Sequence, residues 1–140
     1  RAEAKTLNYA ASMAALRWAR TQGFDDVIYI ADNDSQRVLE GATSSVLVVK
    51  KGQRLRAPAP GPDILPGTTQ AAVLAYAQDN GWKCKTKDLL VDDLYKAESV
   101  WLISSTRICA RVTRLNDTDL PAPANESEVR ALIEASLQHA

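Results

Sequence analysis

The chain has 140 residues, with 17 Lys and Arg balanced by 17 Asp and Glu, and a single His. With 46% apolar and 24% charged residues, a disordered polar chain is excluded, and the zero net charge excludes a whole-protein cationic field for nucleic acid or anionic membrane. No apolar run reaches the about 18 residues a membrane-spanning helix needs, two cysteines make no disulfide framework, and one His builds no histidine metal site. The expectation is a single cytoplasmic domain over residues 1–140.

Leu7, Ala11, Ala14, Ala15 and Trp18 recur at helical spacing, so Ala4 to Gly23 reads as a helix with an apolar stripe, stopped by Gly23. Val27-Ile28-Tyr29-Ile30 reads as a buried strand and Asp32-Asn33-Asp34-Ser35 as a turn. Arg37 to Glu40 and Val46 to Val49 follow as strands, and Arg54-Leu55-Arg56 as the hairpin partner of the latter. Pro58-Ala59-Pro60-Gly61-Pro62 reads as a stiff loop that cannot pair in a central strand. Gly67 to Asn80 is a helix ended by Gly81, Trp82 to Thr86 an edge strand, and Leu90 to Lys96 a short helix with Asp92 and Asp93 in its first turn. Val100 to Ile103 is a buried strand and Ile108 to Leu115 an alternating one. Asn116-Asp117 is a turn, and Glu126 to His139 a terminal helix with Val129, Leu132, Ile133 and Leu137 inside. About seven strands interleaved with helices, joined by hairpins and crossovers, predict an α+β (mixed α/β) domain. Its sheet is expected to be mixed or partly closed as a barrel, with helices packed around it.

Several common catalytic signatures are missing: no Gly-x-Gly-x-x-Gly, no Walker loop, no Gly-x-Ser-x-Gly elbow and no Cys-x-x-Cys. His139 stands at the chain end, where fraying removes it from consideration. Three hydroxyl-rich segments remain: Thr43-Ser44-Ser45, Leu65-Pro66-Gly67-Thr68-Thr69 and Ser104-Ser105-Thr106-Arg107. The second opens a helix. Its free N–H groups could seat an anion such as phosphate, or Thr68 or Thr69 could simply cap the helix. Glu40 ends a strand and is either solvated at the sheet edge or turned inward to a cationic group. Lys5 is either a surface charge or, if desolvated, a Schiff-base nucleophile.

Four segments, in this order, resemble the class IV aminotransferase family of pyridoxal-phosphate enzymes, fold type IV: Lys5-Thr6-Leu7-Asn8-Tyr9, Val38-Leu39-Glu40-Gly41-Ala42-Thr43-Ser44-Ser45-Val46, Ile64-Leu65-Pro66-Gly67-Thr68-Thr69 and Ser104-Ser105-Thr106-Arg107. The resemblance covers the whole chain but only the C-terminal half of such an enzyme. It implies a large C-terminal domain with a barrel-like mixed sheet, pyridoxal 5'-phosphate as cofactor, a homodimer, and a separate N-terminal domain that completes the site. Metal, nucleic acid and membrane are not expected. By the same resemblance Lys5 is the catalytic lysine that forms the Schiff base and shuttles protons. Glu40 pairs with the pyridine nitrogen and keeps it protonated, so that the ring serves as an electron sink. Thr68, Thr69 and Ser105 hold the phosphate, and Arg107 binds a substrate carboxylate. Many aminotransferase relatives carry Arg after the Leu-Pro-Gly-x-Thr turn; Gln70 stands here. The segments look most like actinobacterial proteins assigned as 4-amino-4-deoxychorismate lyases, which release pyruvate and 4-aminobenzoate for folate synthesis. Transamination of a branched-chain or D-amino acid with a 2-oxo acid is the alternative expectation, and a non-catalytic domain of the same fold the second.

Overall fold

In the computed structural model, residues 9–31, 36–41, 44–59, 68–104 and 109–138 are described. Their elements are α1 (Tyr9–Thr21), β1 (Ile28–Ile30), β2 (Val38–Gly41), β3 (Ser45–Lys50), β4 (Arg54–Pro58), α2 (Thr68–Asp79), β5 (Lys83–Lys87), α3 (Val91–Lys96), β6 (Ser99–Ile103), β7 (Cys109–Arg111), β8 (Arg114–Leu115), β9 (Thr118–Asp119) and α4 (Glu126–Gln138). A five-stranded sheet runs β5-β4-β3-β6-β7, with β1-β2 and β8-β9 as separate two-stranded ribbons. Among the described strand pairs only β4 and β5 are parallel, and α2 is the crossover that parallel neighbours require. The architecture is the mixed sheet with helices that the sequence predicts.

β3 is central and buried on both faces, which is why Val46 to Val49 is an unbroken apolar run rather than an alternating one. Successive side chains of a strand point to opposite faces. Leu47 and Val49 therefore join Leu55, Trp101 and Ile103 under α2 and α4, where Val73, Ala77, Val129, Ile133 and Leu137 complete one core. Val46, Val48 and Val100 face the other way, against Val38 of β2 and Leu89 and Leu94 around α3. Fully burying one such aliphatic side chain contributes about 1.5–3 kcal/mol, so β3 ties the two cores together.

Both long N-terminal helices stop where glycine permits a left-handed residue. Gly23 and Gly81 have φ of 86° and 90°. In each case the glycine N–H and the next N–H fold back onto the last turn: Gly23 to Arg20 O and Phe24 to Ala19 O, Gly81 to Gln78 O and Trp82 to Ala77 O. α3 is held at its start by Asp93, whose carboxylate accepts the Leu90 N–H at 2.9 Å. α4 is tied to the sheet by Glu126, which accepts from Arg111 Nε at 2.7 Å, and by Arg130, which lies 4.9 Å over the Trp101 ring.

The structure departs from the sequence reading at three points. The buried side of α1 is Leu16 and Ala19, whereas Ala14 is exposed and Trp18 is 65% exposed; Trp18 stands on the wall of an open cleft instead of in the core. Ile108 to Leu115 is not one strand: β7 ends at Arg111, and Arg114-Leu115 turns at Asn116-Asp117 to pair with β9. Pro58 closes β4, paired with Lys87 of β5, even though β4 lies between two strands. The antiparallel β3–β4 pairing runs only as far as Val48–Arg56 and stops short of Pro58, which has no N–H to extend it. Among the described residues, no helix is long and apolar enough to cross a membrane, and no His, Cys, Asp and Glu cluster could hold a metal ion.

Candidate functional site at the β3–β6 end of the sheet

Three of the hydroxyl-bearing segments are drawn to one end of the sheet by strand register. Ser45, the first residue of β3, pairs with Ile103, the last of β6, which sets Ser44 and Ser104 beside each other at the mouth of the same strand pair. β2, which carries Glu40, runs directly into this end: the Gly41 N–H donates to Ser44 O at 2.8 Å. The first turn of α2 is pinned here as well, because the buried Gln70 side chain donates from Nε2 to Val46 O at 3.3 Å.

Gly41 is required by close approach. A Cβ at this position would fall on Ser44 Oγ and lie 3.3 Å from Ser44 O and 3.4 Å from Val27 O. Glu40 is half-buried in β2, Thr68 is the first residue of α2, and Thr69 is half-buried one residue on. The backbone N–H groups of these first α2 residues have no partners inside the helix, and they carry its positive dipole end. Lys5, Ser105 and Arg107 lie outside the described residues; Ser104, the last described residue before the latter two, directly precedes Ser105.

Sequence reasoning assigned no role to Ser44 or Gln70 at this end of the sheet, nor to Tyr29 of β1. Among the described residues, Ser44 Oγ and Tyr29 OH are buried without a hydrogen-bond partner, a costly state for a hydroxyl unless another group satisfies it. Ser44 was visible only as the middle of Thr43-Ser44-Ser45, and Tyr29 only as one apolar residue of a strand. Gln70 was visible only as an exception to a motif. Ser44 and Ser104 also line a cleft of about 1090 Å³ that continues along the second face of the sheet past Leu102, Ile28, Phe24 and Trp18. Glu40 and Thr69 are not on its walls. The cleft therefore meets this end of the sheet at Ser44 and Ser104.

The two thiols supply no nucleophile. Burial pushes the Cys109 thiol from the ordinary 9.0 up to about 11, against the opposing Arg130 and with help from Glu134, and burial also raises Cys84.

The elements that meet at this end of the sheet carry the Glu40 carboxylate on β2, the backbone N–H groups and Thr69 at the start of α2, and the Ser44 hydroxyl. These groups suit a small anionic heteroaromatic ligand: the N–H groups and hydroxyls match a phosphate, and the carboxylate matches a protonated ring nitrogen. These are the demands of pyridoxal phosphate, so the residues present fit that group. A mixed sheet wrapped by helices with such an end is the large domain of a fold type IV enzyme.

Comparison with known proteins places the chain. The amino-transferase class IV family model matches residues 1–115. A bifunctional aminodeoxychorismate lyase / D-amino acid transaminase from Mycobacterium tuberculosis is 37% identical over 142 residues, covering 97% of this chain and 48% of that protein. The solved structure of an aminotransferase from Mycobacterium tuberculosis in its PLP-bound form superposes with a TM-score of 0.86 at 37% identity, over 93% of this chain and 45% of that one. A fold IV-transaminase from Curtobacterium pusillum gives 0.80 at 37% identity, over 94% and 44%. The chain belongs to the class IV aminotransferase family, whose members use pyridoxal phosphate. It spans about half the length of these relatives.

Proposed function

We propose that residues 1–140 form one domain, the C-terminal cofactor-binding half of a pyridoxal-phosphate enzyme that converts 4-amino-4-deoxychorismate to 4-aminobenzoate and pyruvate. The observation that carries this reading is the convergence of the Glu40 strand, the first turn of α2 and the Ser104 end of β6 at one sheet end, in a chain of this family. The lyase activity is favoured by the name of the tuberculosis relative. Amino transfer from a D-amino or branched-chain amino acid to a 2-oxo acid is the second reading; the other half of the same name favours the D-amino acid, and similarity to a branched-chain aminotransferase of Humulus lupulus favours the branched-chain one.

When bound, pyridoxal phosphate supplies an electron sink for the substrate carbon that loses a proton. The chain's own residues do the rest. Glu40 accepts a hydrogen bond from the protonated ring nitrogen, and its negative charge keeps the proton there. The N–H groups of Thr68 and Thr69 and the hydroxyls of Thr69, Ser44 and Ser105 bind the phosphate oxygens and fix the ring's orientation. Lys5 would hold the cofactor through Nζ and then, as a free amine, take the substrate α-proton and deliver a proton to the three-carbon unit as its bond to the ring breaks and it leaves as pyruvate. Arg107 orients a substrate carboxylate with its planar fork of donors. The remaining walls belong to an N-terminal domain and to a homodimer partner.

The test is borohydride reduction after incubation with pyridoxal phosphate, followed by intact mass and peptide mapping. A phosphopyridoxyl adduct on Lys5 is expected; no adduct in the full-length protein refutes the reading. Pyruvate release from aminodeoxychorismate, set against glutamate formation from 2-oxoglutarate, separates lyase from aminotransferase. Lys5→Ala abolishes both.

A further inference from the structure

Gln70 is placed where a surface helix would ordinarily carry a solvated residue, yet it is only 9% exposed. Its Nε2 reaches across 24 residues of sequence to the Val46 carbonyl. That carbonyl needs a partner for a specific reason. The β3–β4 register pairs Lys50 with Arg54, Val49 with Leu55 and Val48 with Arg56. The pairing stops there; extended by two residues it would set Pro58 opposite Val46, and proline has no N–H to donate. The ladder fails at the last rung before the site, and a side chain of α2 fills the gap.

We infer that Gln70 is a positioning residue: its amide replaces the rung lost at Pro58 and thereby fixes the phosphate-binding first turn of α2 against the start of β3. This rests on the proposed cofactor site. Gln70 is itself in that turn, so one residue contributes both a free backbone N–H toward the sheet end and the side-chain tether that aims it. The tether lands two residues from Ser44, so the α2 N–H groups and the Ser44 hydroxyl hold a fixed separation. Without it, Val46 O is left unsatisfied in a buried place, and the first turn is tied only through its more distant packing at Val73 and Ala77. An amide suits this role because it is neutral and can be buried against a strand without a counter-ion.

The experiment measures the apparent dissociation constant for pyridoxal phosphate, by the visible absorbance of the bound cofactor, together with the melting temperature of the apo form. Both are read in the full-length protein with wild type, Gln70→Met and Gln70→Glu. Met keeps the volume and loses the donor; an affinity loss of about five- to tenfold is expected, the size of one hydrogen bond. Glu presents an acceptor to an acceptor when ionised and a donor when protonated. Its affinity relative to wild type at the same pH therefore recovers as the pH is lowered from 8 toward 5. Met binding as tightly as wild type, or a Glu-to-wild-type ratio that does not move with pH, overturns the assignment. So does a fall in melting temperature with no change in affinity. If Met does not fold, the Glu series alone decides. A wild-type protein that takes up no cofactor overturns the proposed function, and this inference with it.

Discussion

Replacing Gly41 by Ala introduces one methyl group at the narrowest point of the site. The added Cβ overlaps Ser44 Oγ and stands 3.3 Å from Ser44 O and 3.4 Å from Val27 O. Both carbonyls are backbone, so only the hydroxyl can yield. Its rotation relieves the worst overlap and leaves the tight approach to Ser44 O, which is also the acceptor for the Gly41 N–H at 2.8 Å. Overpacking of this kind costs about 1–3 kcal/mol, or roughly 4–12 °C in melting temperature for a domain of this size. Ser44→Ala alone removes a buried hydroxyl with no partner and is expected to leave stability unchanged or raise it by up to about 1 kcal/mol. The double variant should recover most of the Gly41→Ala loss, leaving less than about 1 kcal/mol, because the clashing atom is gone. Urea unfolding of the four proteins gives the cycle, with a shifted midpoint and an unchanged slope. A Gly41→Ala protein that melts within about 1 °C of wild type, or two substitutions whose effects simply add, refutes the steric argument.

Glu126→Gln should cost about 1–3 kcal/mol, since Arg111 is only 11% exposed and keeps a charge with its carboxylate removed. Asp92→Asn, which breaks the exposed pair with Lys96, should leave the urea midpoint nearly unchanged; equal shifts in the two variants contradict the burial argument. Cys109 should resist alkylation at pH 8, and its rate, mapped by peptide mass, should rise only as pH approaches about 11. The unfolded thiol ionises near 9.0 and the folded one near 11, so the unfolded chain binds fewer protons between these values. The Cys109 contribution to stability is present below pH 9 and is lost as pH rises through that window; an alkylation midpoint at the ordinary thiol value would rule this out.

The elements were legible wherever local chemistry decides them. Gly23 and Gly81 stop their helices because only glycine takes the left-handed residue cheaply, and Val46 to Val49 declares a two-sided core by its lack of alternation. Strand order was not legible: β3 pairs with β6 across the whole of β4, α2, β5 and α3, and no period in the sequence encodes that partner. The same gap explains the site. Glu40, Thr68 and Thr69 could be named from motifs, but Gln70 and Ser44 acquire meaning only from register. The value of Gln70 depends on Pro58 standing opposite Val46, and the value of Ser44 on a neighbour lacking a Cβ. Trp18 was misplaced because a periodic stripe says which residues share a face, not whether anything covers it.

The outer strands of the sheet also bear on solubility. β5 presents its free backbone groups along one side, with Lys83, Lys85 and Lys87 exposed along it. An incoming strand sits about 5 Å away. Were that strand β5 of another copy, two rows of ammonium groups would meet at a spacing shorter than the ~8 Å over which physiological salt screens charge, so edge-to-edge stacking is repelled where it would begin. At the opposite border the described part of β7 is three residues, Cys109–Arg111. A protein held near zero net charge forgoes long-range repulsion as a guard against aggregation; here the guard is local, written into three alternating lysines.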